Sequence, residues 1–144
     1  MVGKTKHSNR EDLLAQVPMF SNLTRKELKQ VAHLVEEISR PEGTLLAEEG
    51  ETGREFFLIL GGQADVMKGD TKVATLGPGN FFGEISLIDH GPRTATVKAS
   101  TDISVLLLGV REFSSLLDQI PSIARRMLTH LCARLREAEK SHTN

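Results

Sequence analysis

A chain of 144 residues with 18 Lys+Arg against 19 Asp+Glu carries a net charge of −1, which gives it no general attraction for nucleic acid or an anionic membrane. This length suits one domain that buries about 68–70% of its unfolded surface without staples. The single cysteine, Cys132, excludes an internal disulfide framework and suits a reducing, cytoplasmic setting, and no apolar run reaches the ~20 residues of a membrane span.

The first ten residues, MVGKTKHSNR, are polar and basic and lack the apolar core of a secretory signal, so they read as a tail. From Glu11 the pattern turns helical, with Leu13, Leu14 and Val17 on one face and Pro18 closing the segment. Thr24 is followed three residues later by Glu27, the spacing of a capping box. Leu28, Val31, Ala32, Leu34, Val35 and Ile38 then continue an apolar helical stripe until Pro41 and Gly43. Helices are therefore expected over 11–40.

From Thr44 to Leu108 the character changes. The runs TLLAE, EFFLIL, QADVMK, KVATL, TATVKA and ISVLLL are rich in β-formers, and glycine-bearing turns separate them. Short strands at this spacing predict a sandwich or β-roll over 44–108. Gly69-Asp70 has the composition of a tight hairpin turn. After Gly109 helical periodicity returns. Phe113, Leu116 and Leu117 share a short helix broken by Pro121. Ser122 reads as the N-cap of a last helix that carries Ile123, Met127, Leu131, Leu135 and Ala138 along one face. The expected fold class is mainly β, a single domain over 11–140 with C-terminal helices at 111–140 and a tail at 141–144.

The chemistry concentrates in residues 81–97, FFGEISLIDHGPRTATV. Gly83 and Glu84 stand at the mouth of a short helical turn, where backbone N–H groups lack partners and suit a phosphate. Arg93 adds a planar, permanently charged fork for two phosphate oxygens. Glu84 repels a phosphate, so it needs another partner, and a ribose hydroxyl fits. The combination predicts a pocket for a nucleotide with a singly charged phosphate.

The five histidines (7, 33, 90, 130 and 142) are scattered, so the His/Asp metal cluster of a phosphodiesterase and the close-set ligands of a metal-binding cupin are both missing. Neither catalytic nor metal-ligating residues are expected. His90 reads as a solvated loop residue and Cys132 as an inert packing residue of the last helix. The stripe from Ile123 to Leu135 reads as a face packed on the roll. A homodimer seam through residues 122–140 is a second use of the same face. The arginines and lysine near this end read as a solvated face.

These residues resemble the cyclic nucleotide-binding domain shared by catabolite activator-type regulators, protein kinase A regulatory subunits and cyclic nucleotide-gated channels. The phosphate-binding cassette of that family is matched by Phe82, Gly83, Glu84, Ile85, Ser86 and Leu87, then by Arg93, Thr94, Ala95, Thr96 and Val97. A second signature is matched by Gly50, Glu51, Gly53, the run from Phe56 to Ile59, and Gly62; Ala47 stands where a bulkier residue is common. LLAQVPMFSNLTRKEL looks like the family's N-terminal helices, so the likeness covers about residues 11–140.

The resemblance implies a β-roll of the double-stranded β-helix type with C-terminal lid helices. It implies that Arg93 holds the exocyclic phosphate oxygens, that Glu84 accepts from the ribose 2′-hydroxyl, and that the N–H groups of Ile85 and Ser86 face the phosphate. Phe82, Gly83 and Ala95 complete the ligand set. Thr94 bears on base choice, since a hydroxyl there can meet a guanine amino group. Arg134 or Leu135 is the candidate lid over the base. Ala138 and Glu139 stand where dimeric regulators offer polar adenine contacts, which puts such a contact in doubt. The implied function is a non-catalytic sensor of cAMP, or alternatively cGMP, needing no cofactor and signalling to an effector protein or domain. The runner-up is the ligand-binding part of a catabolite activator-type transcription regulator. That reading needs a helix-turn-helix after the last helix, and the sequence stops at Asn144. The expectation is thus a sensor that binds neither nucleic acid nor membrane by itself.

Overall fold

The computed structural model describes residues 10–143, with side chains through Lys140; residues 1–9 and 144 of the expected tails lie outside the described part. Two compact units emerge. One runs from Leu34 to Phe113, and the other joins the chain's two ends, through His33 and from Ser114 onward.

In the helical unit, α1 (residues 10–16) ends before a 3-10 turn at Pro18–Phe20. Leu14 and Val17 are buried, whereas Leu13 is exposed, so the inward face is narrower than the apolar spacing predicts. The helix α2 spans Arg25–Leu34. Its capping box forms in full. The Thr24 N–H donates to Glu27 Oε1 at 2.9 Å, and the Glu27 N–H donates to Thr24 Oγ1 at 3.1 Å. Thr24→Ala is expected to cost about 1 kcal/mol, read as a lower urea midpoint at unchanged slope. An unchanged midpoint would show the cap to be idle.

The last helices are α4 (Val110–Gln119) and α5 (Pro121–Thr143). The expected N-cap at Ser122 is corrected: Pro121 is itself the first helical residue. Its missing N–H is one that a first turn leaves unpaired anyway, and its fixed φ suits the helix. Ile120, Ile123 and Met127 are buried, and the Arg126 guanidinium donates to the Pro18 carbonyl at 2.6 Å. Beyond Met127 the expected packed face fails. Leu135 is 59% exposed, and Cys132 is exposed instead of packed.

Among the described residues of the other unit, eight strands form two four-stranded antiparallel sheets. One sheet is ordered β1 (Glu36–Arg40), β8 (Ile103–Gly109), β3 (Glu55–Gly61), β6 (Phe81–Phe82). The second is ordered β2 (Leu45–Ala47), β7 (Thr96–Ala99), β4 (Ala64–Lys68), β5 (Thr71–Leu76). Phe57, Ile59, Ile103 and Val105 of the first sheet share a core with Ala47, Ala64, Val97 and Ala99 of the second. This is the expected β-roll. Gly69 adopts φ +59 and the flanking Lys68 and Thr71 pair, which is the predicted hairpin.

One expectation is corrected. Residues 36–40 are a strand, although helical spacing reaches Ile38. They pair along β8, with Ile38 opposite Val105. The backbone groups on that side of β8 need partners, and this demand outweighs a local periodicity that Ile38 satisfies by chance. Phe81 and Phe82 also form a strand, opposite Leu58 and Phe57, and the Phe57 and Phe82 rings stack at 4.8 Å.

Candidate functional site

The site grows out of β6. Its next residue, Gly83, adopts φ +98 and ψ −5 and opens the short helix α3 (Glu84–Asp89). No other residue type fits at Gly83: a Cβ there would lie 2.6 Å from the Glu55 carbonyl oxygen and 2.7 Å from Arg93 Nη1. Glu84, Ile85 and Ser86 form the first turn of α3, where N–H groups have no acceptor within the helix. Glu84 is only 2% exposed and Ser86 is buried as well. After His90, an exposed turn residue as expected, the chain returns past Pro92, which bridges to Thr52.

Arg93 is held at both backbone and side chain. Its N–H donates to the Glu51 carbonyl at 2.8 Å, and its own carbonyl accepts from the Gly50 N–H at 2.9 Å. Its guanidinium donates through Nη1 to the Gly83 carbonyl at 3.1 Å and through Nη2 to the Glu55 carbonyl at 2.7 Å. The residue is 7% exposed. Burial draws the guanidinium pKa below its ordinary value, while the carboxylates of Glu55 and then Glu84 act in the opposite direction. Gly53 is needed for close approach, since a Cβ there would sit 2.6 Å from Ser86 Cβ and 2.7 Å from Arg93 Nε. The two sequence motifs, separated along the chain, therefore meet on one arginine.

Beside it lies an open pocket of about 410 Å3, lined by Leu45, Leu46 and Ala47 of β2, the loop residues Glu48, Glu51, Thr52 and Arg54, Glu55 at the start of β3, and Arg93. Arg93 is the predicted site residue that reaches this pocket. Gly83, Glu84, Ile85 and Ser86 are gathered around the opening of α3, with Thr94 exposed and Ala95 partly buried just past Arg93. The Phe82 ring belongs to the core through its stack on Phe57. Arg134 is an exposed residue of α5, in the helical unit, and does not line the pocket.

Glu55 was not expected. It holds Arg93 through a backbone carbonyl, for which side-chain identity carries no signal, and its carboxylate acts on the same guanidinium. Gly53 stood in the second motif as a turn glycine, and its closeness to Arg93 appears only in three dimensions.

The arrangement presents one buried, oriented cation with carboxylates nearby. This suits an anion of low charge attached to a hydroxyl-bearing group. Among the described residues no cluster of three or more His, Cys, Asp or Glu could hold a metal ion, and no helix is long and apolar enough to cross a membrane.

Comparison with known proteins agrees with this chemistry. A family model described as the cyclic nucleotide-binding domain matches residues 37–120. A cAMP-dependent protein kinase regulatory subunit of Colletotrichum orbiculare is 37% identical over 118 residues, which covers 81% of this chain and 30% of that protein. A cyclic nucleotide-gated potassium channel of Rhizobium etli is 38% identical over 112 residues, covering 78% of this chain and 31% of the channel. The chain thus spans less than a third of the length of these curated relatives. Among solved structures, PKAR CBD2 bound to Sp-2Cl-cAMPS aligns with a TM-score of 0.80 at 31% identity, over 95% of this chain and 94% of that one. The catabolite activator protein of Thermus thermophilus aligns with a TM-score of 0.79 at 29% identity, over 86% of this chain and 61% of its own.

Proposed function

The chain belongs to the cyclic nucleotide-binding domain family, and from this premise we propose that it is a non-catalytic sensor of cAMP, with cGMP as the alternative ligand. The observation that carries the reading is the buried Arg93 guanidinium, fixed by two carbonyls beside Glu84. Arg93 holds the exocyclic phosphate oxygens, the Ile85 and Ser86 N–H groups face the same phosphate, and Glu84 accepts from the ribose 2′-hydroxyl. Gly83 leaves the space for this approach, and Thr94 and Ala95 continue the wall past Arg93. The choice of cAMP is supported by similarity to a regulatory subunit of the cAMP-dependent kinase and to a structure holding a cAMP analogue.

Binding favours one placement of the last helix, and an effector protein or domain reads that placement. The same helix self-associates through residues 122–140. The sensor needs no cofactor, works in the cytoplasm, and binds neither nucleic acid nor membrane by itself. Structural likeness to the Thermus activator supports a second reading, the ligand-binding part of a transcription regulator. A DNA gel-shift separates the two, since the sensor alone leaves the DNA unshifted.

Titration calorimetry with cAMP and cGMP tests the main reading. One saturable site is expected, and no heat with either nucleotide overturns it. Thr94→Ala in the same experiment is expected to weaken cGMP by roughly five- to tenfold through one lost hydrogen bond, with little change for cAMP. Equal effects on both nucleotides would remove Thr94 from base selection.

A further inference from the structure

The roll unit is strongly acidic, with thirteen Asp and Glu against seven Lys and Arg between residues 34 and 113. The proposed ligand is an anion, so the unit that binds it also repels it at a distance. The pocket beside Arg93 repeats the imbalance, setting Glu48, Glu51 and Glu55 against Arg54 and Arg93 in its lining. Fast entry of an anion into such a site needs a local positive field at the mouth.

Arg93 is poorly placed to supply that field. It is 7% exposed, its guanidinium is engaged by the Gly83 and Glu55 carbonyls, and the carboxylates of Glu55 and Glu84 act directly on it. Arg54 is the opposite case. It is exposed and lines the same pocket, and among the described residues its side chain forms no hydrogen bond or ion pair. Its backbone, however, is tied to the site on both sides. Gly53 before it packs closely on Arg93, and the Glu55 carbonyl after it accepts from Arg93 Nη2 at 2.7 Å. An unpaired cation is thus held at the pocket by the residue proposed to bind the phosphate.

We infer that Arg54 is a steering residue, whose exposed charge draws the cyclic phosphate across the acidic surface and into the pocket, where Arg93 takes it. This rests on the sensor reading and adds the route by which its ligand enters. A charge at an exposed rim acts mainly on association and fades with salt, whereas a buried, hydrogen-bonded charge acts mainly on dissociation. The field of Arg54 extends over about 30 Å at about 0.01 M salt and only about 3 Å at about 1 M. The two arginines of one pocket therefore differ in role: Arg54 governs how fast the nucleotide arrives, and Arg93 how long it stays.

Stopped-flow mixing of the whole chain with cAMP that carries a neutral fluorophore on its base tests this at those two salt concentrations. Arg54→Gln is expected to lower the association rate constant roughly three- to tenfold at low salt, with the gap closing at high salt. Its dissociation rate is expected to stay within about twofold of the wild type. Arg54→Lys keeps the charge without the planar fork and is expected to associate as fast as the wild type. Lys68→Gln removes the same charge from the end of β4, outside the pocket lining, and is expected to leave association nearly unchanged. All three variants are expected to keep the wild-type circular dichroism and urea midpoint. An equal loss at both salt concentrations, a loss seen in dissociation, or an Arg54→Lys variant as slow as Arg54→Gln overturns steering and makes Arg54 a contact of the bound nucleotide. A Lys68→Gln variant as slow as Arg54→Gln also overturns it, since net charge alone then sets the rate. Binding indifferent to Arg54→Gln removes this inference and leaves the sensor reading intact, whereas a wild type that binds no nucleotide overturns both.

Discussion

Arg93→Ala is expected to lower cyclic nucleotide affinity at least tenfold in titration calorimetry. Truncating one partner of a buried, hydrogen-bonded charge pair costs about 2–5 kcal/mol, and a micromolar affinity amounts to about 8 kcal/mol in all. The variant also loses two intramolecular hydrogen bonds and leaves the Gly83 and Glu55 carbonyls short of donors. A fall in affinity could therefore reflect a damaged fold. Arg93→Lys separates the two effects. It keeps a positive charge but not the planar fork, so it is expected to retain most of the stability of the ligand-free protein and still bind several-fold more weakly. Thermal unfolding without ligand reads stability, and calorimetry reads binding. Wild-type affinity in a folded Arg93→Ala protein would sink the assignment of this arginine to the phosphate.

Gly83→Ala is expected to be strongly destabilising to the roll unit. The backbone conformation at φ +98 alone costs a residue with a side chain about 1–3 kcal/mol. The added carbon would also stand 2.6 Å from the Glu55 carbonyl oxygen, a backbone atom of a central strand that cannot swing aside. Gly50 supplies the control. It has φ +87, but a Cβ there would meet nothing within 4 Å, so Gly50→Ala carries the conformational cost without the collision. Urea unfolding is expected to rank Gly83→Ala clearly below Gly50→Ala, and equal midpoints would remove the collision from the account. Because the displaced groups are the ones that hold Arg93, Gly83→Ala is also expected to weaken cAMP binding.

Much of this molecule is legible in its sequence, for identifiable reasons. Runs such as EFFLIL and ISVLLL, bounded by glycine turns, have few structures open to them besides strands of a buried sheet. Gly69 marks a hairpin because a side chain is costly at its backbone angles. Arg93 and Glu84 stand out because a guanidinium and a carboxylate that close to a helix opening need a reason to be there. What stays hidden is relational. Residues 36–40 become a strand because β8 lies beside them, a fact absent from their own spacing. Glu55 holds Arg93 through a carbonyl that every residue possesses, and the nearness of its carboxylate to that arginine arises only in the fold. Leu135 and Cys132 sit at helical intervals that report an apolar face without reporting what covers it.

The backbone ladder between Gly50, Glu51 and Arg93 has a bearing on speed. An arginine side chain carries about 2 kcal/mol of rotamer entropy, and here most of it is surrendered when the roll folds, because both ends of the residue are already tied. With Arg93 as the proposed phosphate partner, the nucleotide meets a cation that does not have to be captured first. Association is then limited by encounter and orientation, and differences in affinity among cyclic nucleotides fall mainly on how long each stays bound.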